Sequence, residues 1–223
     1  DKKRTFKRAL KTSVAMDIYK PEDGEYNIQI RRRDKRFKLT KRVEVPKYKA
    51  VVFYMGDISY STYGERLELE KRLVNFINNW IDFNYGKGNV EHRFFVHDVE
   101  GYEVRAEDFY NVSNAGGTYA APVFDLIHKV AFNEYDVAST NFYAFYFGDG
   151  EIFDDDVKAI TQILTEHISP IFNRVGIVEV KPSRFSKLNR SISDHFPAGS
   201  PIVFSKLEDK KQTIEVIKKI FGE

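Results

Sequence analysis

The sequence predicts an α/β protein built on a doubly wound, mostly parallel sheet. Three observations carry that expectation. Ala50 to Met55 and Asn141 to Phe147 are unbroken apolar runs rich in β-branched and aromatic residues, as strands buried on both faces require. Between and after them lie stretches with apolar residues at helical spacing. The alternation of the two kinds of segment recurs along the chain, which is the pattern of strands joined by crossover helices.

The elements follow in order. Residues 1 to 20 show weak helical periodicity through Phe6, Leu10 and Val14, with basic residues between. Lys20 to Gly24 is a turn. Tyr26 to Ile30 and Phe37 to Val45 alternate apolar and polar residues and predict a hairpin around the charge block RRRDKR. Pro46 breaks this pattern, so residues 1–47 read as a basic arm or hairpin and residues 48–223 as the main domain.

In the main domain the first buried strand ends in the loop DISYS. A helix is expected over Tyr63 to Phe83, with Leu69, Leu73, Phe76, Ile77, Trp80 and Ile81 on its apolar side and Glu65, Arg66 and Glu70 elsewhere. Two glycines in YGKGN end it. Val90 to His97 is the next strand, and Gly101 to Val104 a short antiparallel edge strand. The polar loop NVSNAGGT, residues 111 to 118, leads to a helix over Tyr119 to Phe132, where Pro122 falls in the tolerant first turn. After the Asn141 to Phe147 strand come a helix over Asp154 to Ile168 and a strand over Val175 to Val180. A short strand over Pro201 to Phe204 and a closing helix over Thr213 to Phe221 complete the chain.

Composition narrows the function. The chain has 223 residues, enough for one sizeable core, and 19 Phe with 13 Tyr make that core ring-rich. It has no cysteine, so disulfides, zinc-thiolate sites and thiol nucleophiles are excluded. No apolar run approaches the roughly 20 residues that span a bilayer, and the expected setting is cytoplasmic. The net charge of +2 conceals an asymmetry. Residues 1 to 49 carry 17 Lys and Arg against 7 Asp and Glu, a balance of +10, and the remainder is correspondingly acidic. Such an arm suits nucleic acid, an anionic membrane or an acidic partner, or a solvated strand pair packed on its own acidic domain.

The candidate site follows from the fold. In a doubly wound sheet, ligands bind beyond the carboxyl ends of the strands. Asp57, Thr118 and Asp149 each fall after a predicted strand or in the loop before the next helix. Residues two apart in an extended loop point the same way, so Asp57, Ser59 and Ser61 can face one point. Five oxygen donors of this kind suit a hard cation, Mg²⁺ or else Mn²⁺ or Ca²⁺. If the aspartates act through water, the neutral hydroxyls leave the ion short of negative charge and open to a carboxylate from a partner. Each piece also has a structural reading: Thr62-x-x-Glu65 as a capping box, Thr118 as an N-cap, and Asp149-Gly150 as a turn.

The order D-x-S-x-S, then threonine in a Gly-rich loop, then aspartate after a third strand resembles the metal-ion-dependent adhesion site of von Willebrand factor A domains, a Rossmann-like fold. The text VVFYMGDISYS, NAGGTYAAP and YAFYFGDGE resembles the bacterial YeaH/YhbH family more closely still. The similarity runs on through VEVKPSRF and EVIKKIFGE, covering most of the chain after about residue 48. The resemblance implies direct metal binding by Ser59 and Ser61, direct or water-mediated binding by Thr118, and mainly water-mediated roles for Asp57 and Asp149. It also implies a setting in stress or sporulation and a PrkA-type serine protein kinase as partner. The family has glycine between the serines, where this chain has Tyr60, whose ring would narrow or cover the partner face. His97 lies near the site and reads first as a histidine packed on the domain surface, otherwise as one that orients a loop or contacts the partner.

The expected function is therefore non-enzymatic protein binding through a metal-bridged carboxylate. A haloacid-dehalogenase-type phosphatase is the main alternative, because an aspartate after the first strand and GDGEIFDDD suit it. That family needs a second acidic residue where Ser59 stands and a lysine for which only Lys129 is near. The triplet Asp154 to Asp156 reads as a favourable first helical turn before it reads as a second metal cluster. The block Arg31 to Arg42 offers phosphate contacts for nucleic acid but lacks interleaved aromatics. No phosphate-binding glycine motif and no G-x-S-x-G elbow is present.

Overall fold

A computed structural model describes residues 1–37, 49–58, 64–111 and 119–222. The chain divides into two compact units, Asp1–Val45 and Pro46–Glu223.

The first unit opens with α1 (Lys2–Ala15). A two-residue ladder follows, β1 (Tyr19–Lys20) against β2 (Glu25–Tyr26), around a 3₁₀ turn at Pro21–Asp23 that closes on Gly24 at φ 77°. The turn expected at Lys20 to Gly24 is therefore present. The strand expected from Tyr26 to Ile30 is not, because only Tyr26 pairs. Side chains of α1 and a second 3₁₀ turn, Arg32–Asp34, take the backbone groups instead. Ser13 Oγ accepts from Gln29 N at 3.1 Å and Asp34 Oδ2 from Arg31 N at 3.1 Å. Such local capture competes with ladder formation. Of the second expected strand, Phe37 is in neither helix nor strand and the rest lies outside the described residues.

The second unit holds a six-stranded sheet of order β5-β4-β3-β6-β7-β8. Its strands are β3 (Lys49–Asp57), β4 (Val90–His97), β5 (Gly101–Val104), β6 (Thr140–Gly148), β7 (Phe172–Val180) and β8 (Ile202–Leu207). Every pairing is parallel except β4 with β5, which is the antiparallel edge the sequence predicts. Helices α2 (Glu65–Tyr85) and α6 (Thr213–Phe221) share a core with one face, including Ala50, Val52 and Tyr54. Helices α3 (Ala121–Glu134), α4 (Asp154–Ile163) and α5 (Leu188–Ile192) share a core with Val51, Phe53 and Met55 on the other. Successive side chains leave a strand on opposite faces, so β3 is apolar without a break from Ala50 to Met55 to serve both layers. Phe53 is wholly buried, with ring centroids of Phe95 at 5.7 Å, Phe172 at 5.7 Å and Phe142 at 6.2 Å.

Helices α2 and α3 each lie two residues later than expected, and α1 ends at Ala15 where helical periodicity runs on to residue 20. The span expected as one helix over Asp154 to Ile168 is α-helical to Ile163 and then π-helical over Leu164–Ile168. Helix α5 has five residues, too few to show helical periodicity in the sequence.

The strand order places the ligand site. The chain moves from β3 to β4 and β5 on one side, then returns past β3 to β6, β7 and β8 on the other. The order therefore reverses at β3, and a doubly wound sheet has its crevice beyond the carboxyl end of the strands at that point.

Candidate metal centre

Asp57 is the last residue of β3, at the reversal point. Its register partner on β4 is His97, and the preceding Gly56 pairs with Phe147 on β6. Asp149 follows β6 directly, so Asp57, His97 and Asp149 end three adjacent strands at one edge. Asp57 is 3% exposed and Asp149 4% exposed. Of the residues expected to bind a metal, these two are brought together by the sheet. Ser59, Ser61 and Thr118, with Tyr60, lie outside the described residues. Among the described residues no three His, Asp or Glu side chains converge as a metal cluster.

Asp149 is held from several directions. Its Oδ1 accepts from Glu151 N at 3.0 Å, and its carbonyl accepts from Ser183 N at 3.2 Å. Its Oδ2 meets Arg66 Nη1 at 3.2 Å. Arg66 stands in the first turn of α2 and also donates through Nη2 to the carbonyl of Lys181 at 3.0 Å. Lys181 is one of two non-glycine residues with positive φ among those described, at 50°. Strained backbone of this kind persists where surrounding contacts enforce it. The loop after β7 is thus tied to α2 through one guanidinium.

Glu70 lies one helical turn beyond Arg66 and is 3% exposed. Burial pushes its carboxyl up to about 8; the Asp57 and Asp149 carboxylates add to the rise, and Arg66 opposes it. Its Oε1 has no hydrogen-bond partner among the described residues. Glu70, expected away from the apolar side of the helix, is buried instead. Residues 66, 70, 73, 77 and 81 form one stripe at spacings of four and three. Arg66 and Glu70 are thus the polar beginning of the Leu73–Ile77–Ile81 core line, a signal that was present in the sequence.

His97 is 1% exposed. Its ring stacks on Tyr146 at 5.6 Å, and its Nε2 lies 3.2 Å from the Tyr146 hydroxyl. The ring is inside the domain, which favours an orienting role over partner contact. Burial raises the Tyr146 phenol well above its ordinary range, and the Asp57, Asp149, Asp156 and Glu70 carboxylates reinforce it. A neutral phenol therefore sits beneath the carboxylates. Asp156 is 2% exposed and accepts from Ala120 N and Ala121 N, both at 2.8 Å. The first-turn reading of Asp154 to Asp156 holds for its placement, but Asp156 also anchors the start of α3, directly after the loop that carries Thr118. Tyr146 and Asp156 were not legible in the sequence, because their roles depend on neighbours distant in the chain.

The carboxylates described at this edge offer oxygen donors, the kind a hard cation takes. Asp57 and Asp149 are buried carboxylates near enough to buried Glu70 to add to the rise of its proton affinity, which Arg66 opposes. Buried negative charge of this density is stabilised by a positive ion, and carboxylates with hydroxyls suit Mg²⁺, Mn²⁺ or Ca²⁺. Beside this edge lies a cavity of about 540 Å³ bounded by Glu151, Phe153, Arg184, Phe185, Lys187 and Arg190. Phe153 and Phe185 are 52% and 78% exposed. Among the described residues no helix is long and apolar enough to cross a membrane.

Comparison with known proteins agrees with the architecture. Solved structures similar to this chain include a von Willebrand factor type A protein from Catenulispora acidiphila (TM-score 0.52, 11% identity, 75% of this chain and 40% of that one). The conserved hypothetical protein BatB from Bacteroides thetaiotaomicron matches at TM-score 0.53 and 16% identity, over 78% of this chain and all of that one. The pilus adhesin SpaC from Lactobacillus rhamnosus GG matches at TM-score 0.54 and 11% identity, over 81% of this chain and 31% of that one. The fold is von Willebrand factor A-like. In sequence, a UPF0229 protein of Pseudomonas savastanoi pv. phaseolicola is 28% identical over 155 residues, 70% of this chain and 36% of that protein. Another, from Sodalis glossinidius, is 23% identical over 188 residues, 84% of this chain and 44% of that protein. The chain thus spans less than half the length of these relatives. The family model described as "Protein of unknown function (DUF444)" matches residues 3–223, and the chain belongs to that family.

Proposed function

We propose that the von Willebrand A-like unit is a non-enzymatic module that captures an acidic side chain of a protein partner through a bound divalent cation, Mg²⁺ in the first instance. The observation that carries this reading is the placement of Asp57 at the reversal point of the sheet, with Asp149 ending the neighbouring strand, both buried. In this reading Ser59, Ser61 and Thr118 supply hydroxyl ligands, and Asp57 and Asp149 supply negative charge around the ion. The cation supplies a Lewis-acidic position that a partner carboxylate completes. Arg66 and Glu70 hold the carboxylates in place, and Tyr60 shapes the approach of the partner. The cationic and aromatic cavity beside Asp149 suits an acidic partner by charge. The resemblance to YeaH/YhbH proteins supports a PrkA-type kinase as that partner, in a bacterial stress or sporulation setting and in the cytoplasm.

Calorimetric titration with MgCl₂ tests the reading. The wild-type chain is expected to bind the ion, and Ser59→Ala with Ser61→Ala to lose it while keeping its circular dichroism. A double variant that binds Mg²⁺ as the wild type does sinks the mechanism. Mg²⁺-dependent turnover of small phosphoesters that Asp57→Asn abolishes would instead establish the phosphatase reading.

A further inference from the structure

We propose that the N-terminal unit binds the sugar-phosphate backbone of a single-stranded nucleic acid in a cationic groove between α1 and Arg33. The groove encloses about 590 Å³ and lies wholly within this unit. Arg4, Lys7, Arg8 and Lys11 line one side, and Arg33 and Met16 also border it. The four helical cations fall at i, i+3, i+4 and i+7, which places them on one face of α1. All four are exposed, as is Arg33. No carboxylate lines the groove among the described residues.

Like charges at i, i+4 destabilise a helix, and this face carries two such pairs, Arg4 with Arg8 and Lys7 with Lys11. A bound polyanion removes that repulsion. The facing wall is built to stay in place. Asp34 is wholly buried and accepts from Thr12 Oγ1 at 2.9 Å and from Arg31 N at 3.1 Å. These bonds pin the turn bearing Arg33 to α1. Thr5 Oγ1 accepts from Arg36 N at 2.9 Å and fastens the far end of the same segment. Arg33 and Arg8 act on the Asp34 carboxylate, whose oxygens are committed to Thr12 and Arg31 and which does not line the groove.

The shape and chemistry select the occupant. From Arg4 to Lys11 the helix rises about 10 Å, the axial span of about four successive phosphates at about 3.4 Å each along a strand. The guanidinium forks of Arg4, Arg8 and Arg33 match phosphate oxygens in pairs. A bilayer surface presents a broad plane, and a membrane helix meets it with an apolar face flanked by cations. Here the cations centre on a concavity with two walls. A protein partner would need a buried aromatic or aliphatic anchor, and the groove offers only Met16 and Ala15 for one. The cations that matter are therefore on α1, where the sequence alone pointed to the block Arg31 to Arg42.

The test uses the full chain. Fluorescence anisotropy with labelled oligouridine is read across salt, beside phosphatidylglycerol-containing vesicles and polyglutamate as competitors. Expected is binding whose log K falls against log salt with a slope of about −3, from roughly 0.7 for each of four to five phosphates. Lys7→Glu with Lys11→Glu, both on exposed positions, lowers affinity by about tenfold or more, since two phosphate contacts are reversed. Arg33→Glu alone weakens it as well, which keeps the test open should the double variant lose its helix. Lys218→Glu with Lys219→Glu on α6 leaves binding unchanged. The proposal is overturned by absence of oligouridine binding at about 50 mM salt. It is equally overturned by loss in the α6 variant matching that in α1, or by vesicles or polyglutamate that compete better than unlabelled oligouridine.

Discussion

Arg66 Nη1 lies 3.2 Å from Asp149 Oδ2, and the two side chains are 11% and 5% exposed. Breaking a buried pair from one side leaves an uncompensated charge and costs about 3 to 5 kcal/mol. Arg66→Met is therefore expected to destabilise the domain by about 3 kcal/mol in metal-free buffer. Urea denaturation measures it; a midpoint within error of wild type would show that the pair contributes nothing.

Glu70 sets a pH dependence. Its carboxyl titrates near 8 in the folded chain, raised by burial first and by the Asp57 and Asp149 carboxylates second, against 4.5 as the ordinary value. The folded state thus holds a proton that the unfolded chain releases between those values. Stability from this group is full below about pH 4.5 and falls as pH rises towards 8. Glu70→Gln keeps the shape without the charge. It should flatten this decline and gain on the order of 3 kcal/mol over wild type at alkaline pH. Denaturation series across pH would reveal parallel curves if Glu70 were not involved.

Gly150 follows Asp149 at φ +80°. A Cβ there would lie 2.7 Å from Glu179 Oε1 and closer still to Ser186 Oγ. Glu179 is 1% exposed and accepts from Asn189 N at 2.8 Å, so it has little freedom to move. Gly150→Ala is expected to cost about 2 to 3 kcal/mol through strain and crowding. Thermal unfolding gives the check, with an unchanged midpoint as the contrary outcome.

Asp156 accepts two backbone amides, from Ala120 and Ala121. Removing the carboxylate orphans both at the start of α3. Asp156→Ala should lose about 2 kcal/mol, and Asp156→Asn, which keeps one acceptor, about half of that. Hydrogen exchange at Ala121 to Phe124 should quicken in step. Uniform exchange across variants would remove the anchoring role.

Several features were readable without a fold. Ala50 to Met55 and Asn141 to Phe147 announce central strands, because a strand covered on both faces has no polar side to show. The limits of β4, β5 and α6 are those the sequence predicts, since alternation or helical spacing begins and ends sharply there. Asp57 and Asp149 are legible at the carboxyl edge of the sheet because they end or directly follow such strands. Tyr26 to Ile30 is not a strand beyond Tyr26, because so short an alternation does not distinguish a ladder from a segment whose neighbouring amides go to Ser13 and Asp34.

By itself, then, the sequence determined the α/β class, the parallel sheet and the two carboxylates at its edge, all consequences of local periodicity. Only the tertiary structure decided that Arg66 closes on Asp149, that Glu70 turns inward, that Tyr146 lies beneath the carboxylates and that Asp156 holds α3. Each of those pairs residues far apart in the chain, and their energies come from burial and from charges in a shared interior, quantities that exist once strands and helices have packed.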